Sequence, residues 1–428
     1  MKDIITNELN VEESDEKNVT YEEAVFIAVE LGEHIMRSGG EISRAEDTAS
    51  RICKAYGAKN VDVTAILSVI VLTADFGEVS VNTSRRITEI GSHNLGRLSR
   101  LNNLSRKVCR ERPTKAAFLS ELEEINKVSR VGPAVSIVGG ILAAAGFAVF
   151  FGGNAWDAVF AGLIAIPMTL LMGFLSNTKI NNIVAKFAVC FVGGLLAMLI
   201  SLTGLDCNID KIMIGNIMNV IPGVLLANSF RDLFSGDIMS GFFRMCTAVL
   251  DAVSIAFGYA VAILAFGGLN YGAVADHNIA IILIASTIGT MGIILQFGIE
   301  KRVMIWALIS SILCCAAYEG VYSLSRELFL SSLAASAVAA AYSDFMAHKV
   351  KVPATVMIIP AIVPLVPGGK LYYTMLGAVG ENMPFFLENG GAAFQIAAGL
   401  ALGIIAVTAV SRPLNAKLAE LNIKMKKK

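Results

Sequence analysis

The sequence predicts a polytopic α-helical membrane protein, with about ten transmembrane helices arranged as two inverted five-helix repeats behind an N-terminal cytoplasmic α/β domain. Three observations carry that prediction. The 428 residues are 55% hydrophobic and 16% charged, with mean hydropathy +0.65, whereas a soluble chain carries about 25% charged residues. The charges cluster: residues 1–130 hold 39 of the 70, residues 131–411 hold 24, and the last 17 residues hold six basic side chains and one acid. Two Pro-Gly segments inside apolar runs recur 145 residues apart. Net charge is zero, from 35 basic and 35 acidic residues, so the total points neither to nucleic acid nor to acidic substrates.

The first 30 residues are acidic and lack the continuous apolar core of a signal peptide, so the N-terminus is expected to stay in the cytoplasm, and residues 1–19 read as a disordered acidic tail. Thr20-Tyr-Glu-Glu23 is a capping box, and Ala24, Ile27, Ala28, Leu31 and Ile35 share one face of the helix it starts, which Gly39-Gly40 stops. Ser43-Arg-Ala-Glu46 caps a second helix through Ala49, Ile52 and Tyr56. Residues 61–73, rich in β-branched side chains, and residues 78–83 then predict a pair of strands. Helices over 92–110 and 114–127 follow, separated by Pro113. The first sets Arg97, Arg100, Arg106, Lys107 and Arg110 opposite Leu95, Leu98, Leu101 and Val108, a basic face for anionic lipid headgroups or simply for solvent. Residues 20–130 thus form the cytoplasmic domain.

The membrane domain parses from its uncharged runs, since about 20 helical residues cross the roughly 30 Å hydrocarbon layer. Runs at 131–156, 158–178, 187–205, 212–230, 277–299 and 389–411, shorter ones at 303–318, 328–343 and 352–369, and 245–275, interrupted only by Asp251, predict ten spans. With the N-terminus inside, Lys179, Lys186, Arg231, Arg244, Lys301, Arg302, Lys349 and Lys351 fall in cytoplasmic loops, and only Lys211 and Arg326 fall outside. Both termini are therefore expected in the cytoplasm, in a plasma (inner) membrane protein whose repeats occupy 131–275 and 276–411, with a basic tail over 412–428. The seven cysteines show no C-x-x-C spacing and read as reduced packing thiols.

Ile217-Met-Asn-Val-Ile-Pro222-Gly223-Val-Leu-Leu226 in the fourth span superposes on Ile362-Val-Pro-Leu-Val-Pro367-Gly368-Gly-Lys-Leu371 in the ninth. Five spans per half is odd, so the halves sit in opposite orientations, the plan of many secondary transporters. Proline removes an amide donor and glycine relaxes the backbone. In lipid such a break is tolerated only against protein or a water-lined cavity, so paired breaks point to a central substrate site; a packing kink is the alternative. Gly399 and Gly403 at G-x-x-x-G spacing show how small residues serve packing in the same bundle.

Polar residues near the breaks are the candidate ligands. Asn216, Asn219 and Asn228 offer amides to a substrate or to neighbouring helices. Lys370, after Gly368-Gly369, either holds a substrate carboxylate or snorkels to outer headgroups beside Tyr372 and Tyr373. Asp251, seven residues into the fifth span, is a candidate for proton coupling or for a structural partner. Asp344 and His348, one turn apart, form a proton relay or a loop-edge hydrogen bond. Arg231, Asp232 and Asp237 shape a polar hairpin that gates the inner mouth or simply turns. No metal-ligand spacing or nucleophile elbow appears, and Gly369-Lys370 lacks the upstream glycine and the Ser/Thr of a P-loop, so no cofactor, metal, catalytic residue or ATP-driven step is expected.

Gly40-Glu-Ile-Ser-Arg44-Ala-Glu46, Leu98-x-Arg100-Leu101-Asn-Asn-Leu104, Ile221-Pro222-Gly223 with Arg231-Asp232 and Ser240-Gly241, and Val363-Pro-Leu-Val-Pro-Gly368 with Tyr372-Tyr373 together resemble the threonine/serine exporter family. The resemblance implies efflux of small hydroxy amino acids driven by the proton-motive force, with the amino acid, protons and membrane lipids as partners and homo-oligomerisation left open. A related arrangement split near residue 270 implies dicarboxylate export as the alternative. An N-terminal domain acting as an enzyme or sensor is a further alternative. The paired breaks (Asn216, Asn219, Pro222, Gly223, Asn228, Pro367, Gly368, Gly369, Lys370 and Tyr373) would bind substrate while Asp251 couples protons.

Overall fold

The computed structural model describes residues 19–66, 68–87, 94–128, 131–178, 180–234, 236–266 and 278–426, without the side chains of 223, 224, 227, 379 and 412–426. The predicted acidic tail lies outside these residues apart from Val19. The chain divides into two compact units, residues 1–130 and 131–428.

The first unit begins with α1 (Tyr21–Arg37), closed by the Thr20/Glu23 capping box: the Glu23 amide donates to Thr20 Oγ1 at 3.2 Å and the Thr20 amide to Glu23 Oε2 at 3.4 Å. Helix α2 (Ile42–Ala55) starts at an N-cap Glu41 with no side-chain cap, correcting the expectation for Ser43 and Glu46. Glu46 instead reaches across to accept from the Ala65 amide at 2.8 Å, tying α2 to the first strand. The stretch read as one strand is a hairpin, β1 (Asn60–Ile66) and β2 (Val69–Asp75), with β3 (Ser80–Arg86) completing an antiparallel sheet in the order β1-β2-β3. Ile66 pairs directly with Val69, so the chain reverses with no glycine or proline to mark it. Helices α3 (Leu95–Glu111) and α4 (Lys115–Val128) are separated by a left-handed Arg112 (φ 51°) and Pro113. Part of the basic face of α3 turns to α4: Arg97 Nε donates to Asn126 Oδ1 at 3.0 Å and Lys107 pairs with Glu121.

Inside this unit Glu30, Glu33 and His34 are buried on α1. Arg85 from β3 reaches Glu30 at 2.7 Å and Glu33 at 2.5 Å, and Arg97 contacts His34. The hydrogen bond from His34, helped by the Arg85 charge, holds the Glu30 carboxyl below its ordinary value of about 4.5 against the opposing pull of burial. Because the folded value is the lower one, ionised Glu30 stabilises the unit above the unfolded value, and that stability is lost as pH falls through the folded value. Amide protection of α1 by hydrogen exchange should therefore drop on acidification through that range, and drop less steeply in Glu30→Gln; identical acid limbs would refute the linkage.

The second unit is helical throughout: α5 (Pro133–Phe150), α6 (Ala155–Ser176), α7 (Asn182–Ser201), α8 (Ile209–Ile217), α9 (Gly223–Phe234), α10 (Ile238–Ala265), α11 (Ile279–Gln296), α12 (Lys301–Ser325), α13 (Leu328–Val350), α14 (Thr355–Ile362), a 3-10 turn (Val363–Leu365), α15 (Gly368–Val379) and α16 (Met383–Lys426). Among the described residues eight helices are long and apolar enough to cross a membrane, and nine if α14 and α15, bent by 47°, are one span. The predicted fourth span is instead two short helices, α8 and α9, of 9 and 12 residues, and is not among these eight or nine. The chain is a multi-pass membrane protein. Its helices bury small residues and expose large apolar ones: α5 buries Gly139, Gly140, Ala143 and Gly146, while α6 exposes Leu163, Leu170 and Phe174.

Small residues set the helix contacts, as expected where lipid offers no hydrophobic drive between helices. A Cβ on Gly292 of α11 would collide with Gly139 and Ala143 of α5, and one on Gly399 of α16 would lie 2.6 Å from the Phe329 carbonyl of α13. Hydroxyls bridge further pairs, Thr290 to Ser311 and Ser310 to Ser343, each at 2.9 Å. The two halves repeat their contacts. Helix α7 packs on α10 as α13 packs on α16, α9 on α10 as α15 on α16, and across the halves α9 meets α16 while α15 meets α10.

Candidate functional site

The two breaks touch. Residues 218–222 separate α8 from α9, and residues 363–367 separate α14 from α15. A Cβ built on Gly368 would lie 2.9 Å from both Met218 Sδ and Ile221 Cδ1, so the first residue of α15 sits against the first break. Gly369 lies near Ile214 and Phe151, at 3.7 Å each on the same measure. Asp210 and Ile214 of α8 and its C-cap Met218 are spaced by four and meet Tyr373, Gly369 and Gly368 in turn, so α8 runs antiparallel to α15 along this seam. Pro367 is the N-cap of α15 and supplies no side-chain cap; the Gly368 amide donates to the Val366 carbonyl at 2.6 Å, and the rest of the first turn has no side-chain cap.

The asparagines divide. Asn219 Nδ2 donates to the Gly140 carbonyl at 3.2 Å, and its Oδ1 accepts from Gln296 Nε2 at 2.8 Å, joining the first break to α5 and α11. Asn216 Nδ2 donates to Ala161 O (3.2 Å) and Ile212 O (3.0 Å), bracing α8 on α6, while its Oδ1 has no hydrogen-bond partner among the described residues. Asn228, buried in α9, has an Nδ2 with no such partner either.

Lys370 and the tyrosines do not form an outward belt. Lys370 Nζ donates to Asn389 Oδ1 of α16 at 3.3 Å. Tyr372 is buried, edge-on to Tyr259 at 6.0 Å between ring centroids, with its hydroxyl 3.7 Å from Met213 Sδ. Tyr373 donates to Asp210 Oδ2 at 2.6 Å, and Lys211 Nζ lies 2.8 Å from the same oxygen and 3.3 Å from the Tyr373 hydroxyl. Snorkelling to headgroups is thus replaced by bonds inside the bundle.

Asp251 on α10 pairs with Lys186 on α7, Oδ2 to Nζ at 2.5 Å, with both side chains buried; Asp251 Oδ1 has no partner among the described residues. Asp232 likewise meets Arg244 Nε at 3.2 Å, so the hairpin that carries Arg231, Asp232 and Asp237 clamps α9 to α10. The Asp237 amide closes that turn on the Asp232 carbonyl at 2.9 Å. Lys186, Lys211 and Arg244 are therefore buried ion-pair partners inside helices, not loop cations; the acids of Lys186 and Arg244, Asp251 and Asp232, are distant in sequence, whereas Asp210 adjoins Lys211. His348 is exposed, and its Nδ1 meets the Asp344 backbone carbonyl at 2.7 Å, the geometry of a helix-end hydrogen bond. Gln296, Asn389, Lys186 and Asp210 escape sequence reasoning: the last three sit at the edges of uncharged runs or on the far side of a helix contact.

Three comparisons bear on this arrangement. A family profile described as "Putative threonine/serine exporter" matches residues 26–266, and a second, described as "Threonine/Serine exporter, ThrE", matches residues 282–410. The first profile thus ends just after α10 and the second begins within α11. A threonine/serine exporter of Corynebacterium glutamicum is 22% identical over 408 residues, covering 91% of this chain and 82% of that protein. No solved structure matches.

Proposed function

Since the chain belongs to the threonine/serine exporter family, a family of amino-acid exporters, we propose that it carries small hydroxy amino acids out of the cell across the plasma membrane, driven by the proton-motive force. The two halves alternate in access around the touching breaks as inverted repeats, with both termini in the cytoplasm. The contact of Gly368 with Met218 and Ile221 is the observation that carries this reading: it brings the two irregular backbones, 145 residues apart in sequence, to one place in the bundle. The exchanged contacts α9 with α16 and α15 with α10 support a two-fold relation between the halves. The uncapped first turn of α15 is suited to a substrate carboxylate, and Lys370 lies beside it. Asn219, held between Gly140 and Gln296, presents polar atoms at the first break for the ammonium or hydroxyl. Asp251 takes up the coupling proton, which releases Lys186 and loosens α7 from α10.

Full-length protein in liposomes, tested with labelled serine, threonine and succinate, should show counterflow of serine and threonine and should concentrate them when a pH gradient is imposed. Succinate exchange without serine or threonine exchange would replace this reading with dicarboxylate export.

A further inference from the structure

The charged cluster at the start of α8 is placed oddly for a brace. Asp210 and Lys211 are 3% and 6% exposed, yet they neighbour each other on one helix, so their ion pair joins no two elements. Among the described residues, Tyr373 reaches across to it from the other half of the membrane unit. Asp210 Oδ1 is buried with no hydrogen-bond partner among the described residues.

Asp157 provides the contrast. It too is fully buried, but its Oδ1 accepts from the Asn208 amide at 2.7 Å, and its Oδ2 from the Asn154 amide at 2.7 Å and Asn208 Nδ2 at 3.2 Å. That carboxylate is a saturated structural tie. The carboxylate of Asp210 keeps an acceptor open, and an open buried acceptor is destabilising unless something fills it. The cluster also lies on the seam that leads to the breaks: Asp210 is one turn, about 6 Å, from Ile214 and two turns from Met218.

We propose that Asp210, Lys211 and Tyr373 form a second recognition site, one to two helical turns from the breaks, that takes the paired charges of an α-amino acid on its way to or from the central site. The substrate ammonium takes the open Asp210 Oδ1, and its carboxylate takes Lys211 Nζ and the Tyr373 hydroxyl, an exchange that leaves the site's net charge unchanged. A dicarboxylate brings a second negative charge against Asp210 and is excluded. The assignment rests on the exporter reading above and names the chemistry that selects its substrate.

The test uses the full chain in liposomes loaded with serine, following uptake of labelled serine against three competitors: serine, serinamide, which lacks the carboxylate, and 3-hydroxypropanoate, which lacks the ammonium. Asp210→Asn/Lys211→Met removes both charges together, so no unpaired buried charge is left to unfold the protein. The expected result is a rise of about tenfold or more in the serine KM, the scale of a lost charge-assisted contact, with the preference for serine over both analogues flattened. Tyr373→Phe, which deletes one hydroxyl, should raise KM by a smaller factor and weaken discrimination against serinamide. If the double variant does not insert, the Tyr373→Phe result decides. Wild-type KM and wild-type competitor ratios in whichever variant inserts would overturn the assignment while leaving the exporter reading intact. Absence of serine and threonine exchange in the unmodified protein would overturn both.

Discussion

Gly368→Leu is expected to lower serine exchange by about 10- to 100-fold, with the protein still inserted, whereas Gly368→Ala should retain most of it. The two atoms that a Cβ would meet at 2.9 Å, Met218 Sδ and Ile221 Cδ1, are the far ends of flexible side chains. They can yield to one methyl. A leucine needs three more carbons where the two breaks already touch, and overpacking of this kind typically costs about 1–3 kcal/mol. That penalty falls hardest on whichever access state brings the breaks closest, so it reads out in transport before it reads out in folding. Met218→Ala supplies the internal control. Combined with Gly368→Leu it vacates the space and should recover exchange, a coupling expected only of residues in contact. The contact is disproved as a determinant of transport if Gly368→Leu exchanges serine at the wild-type rate, or if Met218→Ala rescues nothing.

How much of this was readable in the sequence depends on whether a feature is local. The breaks themselves are: Pro222 and Pro367 lack an amide donor wherever they stand, and the flanking glycines mark the same positions, so the interruption of both helices follows from residue chemistry. The Thr20/Glu23 cap is equally local, and it forms. The β1-β2 hairpin is hidden for the opposite reason, since Ile66 and Val69 flank a turn with neither glycine nor proline and the β-branched pattern runs straight through it. Counting uncharged residues locates apolar segments but cannot see that 212–230 is two helices. It also misassigns cations. Lys186 and Lys211 end uncharged runs and so look like loop residues, until α10 brings Asp251 to the one and Tyr373 of α15 reaches the Asp210 beside the other. The partners of Gly368 and Asn219, in the first break and at Gln296, are 147 to 150 and 77 residues away, and only the packed bundle specifies them.

The Lys186–Asp251 pair separates stability from coupling. Lys186→Met alone should destabilise the protein by about 3–5 kcal/mol, because it leaves a carboxylate buried at 1% exposure without its cation. Lys186→Met/Asp251→Leu should recover most of that loss, since a buried ion pair replaced by apolar side chains of similar volume is often neutral or better. Thermal melts of the purified variants in detergent measure both numbers. The double variant is then the informative transporter. If the Asp251 carboxylate takes up the coupling proton, the stable double variant should still exchange labelled serine in counterflow, which needs no gradient, yet fail to concentrate serine when a pH gradient is applied. If it concentrates serine as the unmodified protein does, Asp251 is a structural tie between α7 and α10 and the coupling proton binds elsewhere. If exchange and gradient-driven export fall together while the melt is unchanged, the pair belongs to the moving contact itself.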